Sequence, residues 1–296
     1  MNYKQIEDLN IGEVQTNVDL KTLTTYKLDG RVSCVVSPDD VNGLIKLLKY
    51  LRENNIKHKI IGNGSNLIFS KNYDGVLIKL DSFQNLEIVG NRITVGAGYS
   101  LMKLALRVSR MGLSGLEFAT GIPGSIGGAV FMNAGAYKSD MGYVVSSVKV
   151  LNPDLEIEIL DNREMDFHYR TSFLQKHPDY ICLEATIFLK NGNAEEIMEV
   201  INDRKQRRLE SQPLEYPSAG SVFRNPEGDF AGRLIESIGY KGKKIGDAMV
   251  SLKHANFIIN TGHASGDDVK TLIEEIKDKV KQEYDIELKV EQEFVE

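Results

Sequence analysis

Apolar side chains at Val41, Leu44, Ile45, Leu48 and Leu51 recur at helical spacing. Ser37-Pro38 precedes them, and a serine cap with proline at the first helical position predicts a helix starting there. A second helical stripe, Leu101, Leu104, Ala105 and Val108, begins after Ser100 and stops at Gly112. Between the two, short apolar runs at 58–61, 76–80 and 93–95 read as strands, and 86–92 as a strand turning on Gly90-Asn91. Further along, 144–151 and 155–160 flank Asn152-Pro153-Asp154 and predict a hairpin. A longer strand is expected over 180–190 and a charge-rich helix over 193–210. The last third predicts a short helix at 231–238, a strand at 256–260, a helix at 266–283 and an alternating strand at 286–295. Helices and strands do not follow a regular βαβ repeat, so the pattern is α+β rather than doubly wound. The loop at 190–193 is a candidate boundary.

Composition narrows the class. The chain has 296 residues, 42% hydrophobic and 26% charged, which fits globular domains with a substantial core. No apolar run approaches the about 20 residues of a membrane span, and the N-terminus lacks a signal-peptide core, so the expectation is a cytoplasmic protein. A formal charge of -6 argues against a general nucleic-acid binder. Cys34 and Cys182 are too few for a disulfide framework, and the histidines never fall at zinc-ligand spacing, so no metal is expected. Cys34, beside Val35 and Val36, reads as a buried strand residue.

The glycines are clustered. Gly112, Gly115, Gly121, Gly124, Gly127, Gly128 and Gly135 fall within one stretch, and Gly62 and Gly64 in another. The loop Gly62-Asn63-Gly64-Ser65-Asn66 follows a strand and reads either as an anion-binding turn or as an ordinary tight turn. Leu67 replaces the third glycine of a dinucleotide fingerprint, and no phosphate-binding P-loop occurs. In Gly121-Ile122-Pro123-Gly124-Ser125-Ile126-Gly127-Gly128-Ala129, Ser125 is positioned to cap a helix whose free N–H groups would attract phosphate. Two such loops suit a long diphosphate-bridged ligand. Gly220-Ser221-Val222-Phe223-Arg224-Asn225-Pro226 gathers a hydroxyl, a guanidinium and an amide on a proline-bracketed segment. Arg170, within His168-Tyr169-Arg170-Thr171-Ser172, either clamps a carboxylate or lies on the surface. Arg204-Lys205-Gln206-Arg207-Arg208 reads as a solvated helix face with room for one ligand contact.

These segments, together with Met132-Asn133-Ala134-Gly135-Ala136-Tyr137, Gln212-Pro213 and His254-Ala255-Asn256-Phe257, occur in the order found in the UDP-N-acetylenolpyruvoylglucosamine reductase (MurB) family. The chain resembles that family from about residue 20 to its end. The resemblance implies an FAD-binding PCMH-type (vanillyl-alcohol-oxidase-like) domain at 21–190 after an N-terminal segment at 1–20, and a smaller α+β substrate domain at 191–296. It implies NADPH-driven reduction of UDP-N-acetylglucosamine enolpyruvate to UDP-N-acetylmuramate, in bacterial peptidoglycan precursor synthesis. A hydride would pass from flavin N5 to C3 of the substrate. Ser221 would protonate C2, with Arg170 and Glu291 activating the carboxylate. The two glycine loops, 62–66 and 121–129, would hold FAD, and Tyr169, Arg224 and Asn225 would contact substrate. A monomer of the compact class, lacking a tyrosine-bearing insertion, is expected.

Two departures stand out. The family usually closes on Leu-x-x-Glu-Val, whereas this chain ends Leu288-Lys289-Val290-Glu291-Gln292-Glu293. Glu291 matches by its distance from Leu288, and Glu293 lies on the same face of a strand. Lys138 stands where glycine often follows Ala-Tyr. An oxidase on the same flavin fold and a non-catalytic nucleotide-binding module are the competing readings.

Overall fold

A computed structural model describes residues 3–70 and 72–296. The chain forms two compact units, one of residues 1–15, 34–63 and 76–206 and one of residues 16–33, 64–75 and 207–296. Both mix helices and sheets. The strands Gly12–Asp19, Arg31–Pro38, Tyr73–Lys79 and His58–Ile61 lie in that order in one sheet. His58–Ile61 pairs parallel with residues 76–79.

The first unit is built on a five-stranded antiparallel sheet ordered Ile157–Asp161, Val145–Leu151, Ile181–Phe188, Arg92–Gly96, Leu86–Val89. Alternate residues, among them Val148, Val150, Ala185, Ile187, Ile93 and Val95, point into a core closed by the helices Val41–Glu53, Leu101–Arg110 and Ile126–Phe131. The hairpin expected around Asn152-Pro153-Asp154 is present, and the turn expected on Gly90-Asn91 joins Leu86–Val89 to Arg92–Gly96. Cys34 is a fully buried strand residue.

The second unit has its own core around the helix Gly266–Tyr284, which buries Val269, Leu272, Ile273, Ile276 and Val280 completely. Each such side chain contributes about 1.5–3 kcal/mol relative to exposure. Ser265 and Asp268 form a reciprocal capping box at its start, and Asp285 ends it in a left-handed conformation. The short helix Ala231–Ser237 and the strands Lys244–Ile245, Ala248–Val250 and Ile258–Asn260 complete it.

Four expectations need correction. Pro38 ends a strand instead of opening a helix; the helix starts at Val41, capped by Asp40, whose carboxylate accepts from the Gly43 N–H at 2.8 Å. The strand expected at 256–260 starts at Ile258, because the chain first turns back on itself, the Phe257 N–H donating to the His254 carbonyl at 3.0 Å. The strand expected over 180–190 breaks after Phe188, and Lys190–Asn191 pairs with Leu113–Ser114 instead. The strand expected at 286–295 survives as Glu293–Val295, parallel to Leu67–Phe69. Residues 289–291 before it bond to a different segment, described below.

Candidate active site

In the first unit the strand ending at Ile61 delivers Gly62 against the loop before the helix Ile126–Phe131. A β-carbon built on Gly62 would lie 2.6 Å from Ser125 Oγ, and one on Gly127 would lie 3.0 Å from Ala97 Cβ. Any side chain at Gly62 would displace the buried Ser125. Ser125 caps its helix as expected, accepting from the Gly128 N–H at 3.3 Å. The expected supply of free helix N–H groups is absent, however. Ile126 N–H donates to Tyr99, Gly127 N–H to Ala97, and Gly128 N–H to Ser125. Gly127 and Gly128 are half-buried, and the β-carbon positions of both lie against the protein itself, Ala97 at 3.0 Å and Ser125 Oγ at 3.5 Å, so the missing side chains let this loop pack closely. Ile122 and Gly124 are half-buried and Pro123 exposed on the same loop, while Ala129 turns into the core.

Arg170 occupies a two-residue turn. His168 and Thr171 exchange both backbone hydrogen bonds, leaving Tyr169 and Arg170 at the tip. Arg170 has φ +55°, a conformation that a branched or long side chain adopts at a cost of order 1 kcal/mol. Its Nη2 donates to the Gly135 carbonyl at 2.7 Å, its guanidinium lies 5.1 Å from the Tyr169 ring centre, and Gln175 donates to its carbonyl. Tyr169 is exposed.

Gly135 itself opens a tight hairpin whose other arm carries Asp140 directly opposite. The tip residues Tyr137 and Lys138 have φ +54° and +61°, so the lysine takes up the left-handed geometry that glycine would favour. Burial pushes the Asp140 carboxyl up, against the opposing pull of the Gly142 N–H, Asn133 and the Arg170 charge. Asn133, 1% exposed, ties these pieces together. Its Nδ2 donates to the His168 carbonyl at 2.8 Å and its Oδ1 accepts from Gly142 N–H at 2.9 Å. In the basic run, Arg204 lies 4.6 Å from the Tyr137 ring centre, and Tyr137 donates to its carbonyl.

In the second unit, the Gly62–Asn66 loop continues through Gly64, at φ +61°, where a β-carbon would fall 2.1 Å from the Leu23 carbonyl. Ser65 and Asn66 are half-buried; Asn63, at the first unit's edge of the loop, is exposed. Asn66 Nδ2 donates to the Glu291 carbonyl at 3.1 Å. Ser221 is half-buried at the start of an extended segment that pairs antiparallel with residues 289–291. Glu291 N–H donates to Val222, Arg224 N–H to Lys289, and Phe223 bridges Val290. That register sets Glu291 beside Val222, next to Ser221. Glu293, by contrast, lies in the strand along Leu67.

The side chain of Asn225 accepts from Ala231 N–H, fixing the start of the helix Ala231–Ser237. Arg224 is half-buried. Sequence reasoning passed over Asn133, Asp140, Asn256 and Gln292, which hold the two candidate segments in place. Asn133 and Asn256 lie within motifs that the sequence singles out, but their residue type alone signals no role. Among the described residues no cluster of His, Cys, Asp or Glu is placed to hold a metal ion.

Comparison with known proteins accounts for this layout. Residues 32–161 match the FAD binding domain family, and residues 212–295 match the C-terminal domain of UDP-N-acetylenolpyruvoylglucosamine reductase. The chain is 46% identical to the UDP-N-acetylenolpyruvoylglucosamine reductase of Halalkalibacterium halodurans, covering 99% of this chain and 97% of that one. Its identity to the Bacillus subtilis enzyme of the same name is 42%, with the same coverage. The crystal structure of UDP-N-acetylenolpyruvylglucosamine reductase (MurB) from Thermus caldophilus superposes with a TM-score of 0.82 at 35% identity, over 96% of this chain and 99% of that one. An α+β FAD-binding domain followed by a second, C-terminal domain is the architecture expected from sequence. The chain belongs to the UDP-N-acetylenolpyruvoylglucosamine reductase family.

Proposed function

We propose that this chain reduces UDP-N-acetylglucosamine enolpyruvate to UDP-N-acetylmuramate with NADPH, as a flavoprotein of peptidoglycan precursor synthesis. The observation that carries the reading is the register that brings Glu291 alongside the Ser221 segment in a chain of this family. FAD is assigned to the first unit, whose residues 32–161 match the FAD binding domain family, with the loops 62–66 and 121–129 as the segments that would hold it; Gly62 and Gly127 let those loops pack against Ser125 and Ala97. When bound, it would carry the reducing equivalents of NADPH to the vinyl carbon of the substrate.

The residues divide the remaining work. Reduction at C3 throws negative charge onto the substrate carboxylate, and groups aimed at that charge lower the barrier more than they tighten binding. Arg170 has the fork geometry to grip a carboxylate with two parallel donors, and its bond to the Gly135 carbonyl anchors the guanidinium at Nη2. Glu291 works with Arg170 in activating the substrate carboxylate. Ser221 delivers the proton to one face of C2, and as a weak acid it depends on being held at the right distance. Among the described residues no helix is long and apolar enough to cross a membrane.

The deciding experiment is anaerobic mixing of the NADPH-reduced protein with the enolpyruvyl nucleotide, following flavin absorbance. Ser221→Ala should leave reduction by NADPH intact and slow reoxidation by about 10²–10⁴-fold. Equal loss in both half-reactions would refute the proton-donor role. Arg170→Lys should also impair the second half-reaction, because a point charge does not replace the fork.

A further inference from the structure

The segment that carries Ser221 pairs with residues 289–291 from Val222 onward, and buried side chains hold the residues on either side of the serine. Gln292, 4% exposed, donates from Nε2 to the carbonyls of both Ala219 and Gly220, each at 3.1 Å. Both partners are acceptors, so chemistry fixes which end of the amide faces them. Its Oε1 is buried without a hydrogen-bond partner. A buried amide that leaves its acceptor unused destabilises the fold, and an orphan of this kind in a native core asks for a reason.

The reason lies in the peptide planes around Ser221. A peptide unit is rigid, so pinning its oxygen or its N–H fixes the whole plane. The Gly220 carbonyl belongs to the plane entering Ser221, and Gln292 holds it. The Val222 N–H belongs to the plane leaving Ser221, and it donates to the Asn256 carbonyl at 2.9 Å. The Asn256 side chain then grips Phe223 at both its N–H (3.0 Å) and its carbonyl (2.8 Å). With both planes fixed, φ and ψ of Ser221 are set and χ1 is its main remaining freedom. Gly220, at φ +76° with no atom within 4 Å of a built β-carbon, would otherwise be the loosest joint in the segment.

We infer that Gln292 is a positioning residue for Ser221: its amide locks the peptide plane entering the serine and so aims the hydroxyl. The inference rests on the proposed proton-donor role of Ser221 and adds the device that makes so weak an acid competent.

The test uses FAD-loaded protein, reduced anaerobically with NADPH and mixed with UDP-N-acetylglucosamine enolpyruvate in H₂O and in D₂O. Gln292→Met keeps the length and removes the donor. Expected are reduction by NADPH within about twofold of native and reoxidation slower by about 10- to 100-fold, the scale of a misplaced reacting group. The solvent isotope effect on reoxidation should rise. In a Ser221→Ala background the same change should cost nothing further, within about threefold, because there is no hydroxyl left to aim. Gln292→Glu has the same size, loses the donor when ionised and regains an O–H when protonated, so its reoxidation should recover towards native as pH falls. Native reoxidation in Gln292→Met, or a full additive loss in the double variant, overturns the inference while leaving the serine's role standing. Native reoxidation in Ser221→Ala alone removes the proton-donor reading and this inference with it. If neither Gln292 variant takes up FAD, the residue serves the fold and the inference is withdrawn.

Discussion

Replacing Asn133 should damage the arginine turn more than any surface substitution in the first unit. Its amide is 1% exposed and bonds two separate segments, donating to the His168 carbonyl and accepting from the Gly142 N–H. Asn133→Ala removes both bonds, although the His168 carbonyl keeps its bond from the Thr171 N–H. Each lost bond therefore counts at the net worth of an ordinary intramolecular hydrogen bond, about 1 kcal/mol, and not at the larger cost of a buried group left without a partner. Asn133 also sits at φ +42°, where asparagine is tolerated and alanine adds about 1 kcal/mol of strain. The sum is about 3 kcal/mol, a large share of a typical stability of about 5–15 kcal/mol. Asn133→Gly abolishes the same two bonds and relieves the strain, so it should be the milder change by up to about 1 kcal/mol. The chain has no tryptophan, so urea unfolding is best followed by far-UV circular dichroism. A loss under about 1 kcal/mol in the alanine variant, or a glycine variant worse than alanine, refutes the assignment of Asn133 as the tie between the two segments.

Gly64→Ala should prevent accumulation of folded protein, because φ is +61° and the new methyl would meet the Leu23 carbonyl at 2.1 Å; soluble expression and the circular dichroism spectrum check this. Burial pushes the Cys34 and Cys182 thiols up to about 12. Both should therefore stay unreactive to a thiol reagent at pH 8 until urea unfolds the chain, and a native thiol reacting at the unfolded rate would contradict the burial. The same shifts set a pH trend: the raised folded pKa favours the native state fully below the unfolded thiol value of about 8.5, and that contribution declines as pH rises from there towards 12. Urea midpoints at pH 8 and pH 10.5 measure it, and Cys182→Ser should flatten the slope.

Much of this architecture is legible in one sequence because it depends on local rules. Apolar spacing located the helices, Ser100 and Ser125 announced their caps, and Asn152-Pro153-Asp154 announced a hairpin. The errors share a cause in partners far away along the chain. Ser37-Pro38 has the local chemistry of a helix start, yet residue 37 packs on Gly12, where a β-carbon would meet its carbonyl at 2.2 Å, and the strand continues to Pro38. Asp40 then takes over as cap. Likewise the left-handed turns at Tyr137, Lys138 and Arg170 carry no glycine to signal them. They are imposed by the surrounding bonds.

The choice between Glu291 and Glu293 shows the limit most clearly. Alternation puts both glutamates on one face and Gln292 on the other, and nothing local separates the pair. What separates them is that the chain changes partner between them: residues 289–291 bond to the Ser221 segment, and residues 293–295 bond to the strand at residues 67–69. Gln292 stands at that crossing. A residue that must turn away from both glutamates, hold two carbonyls and remain in the core is confined to a neutral donor of this length. The position most informative about how Ser221 is aimed therefore looks, in sequence, like one more polar residue near the C-terminus.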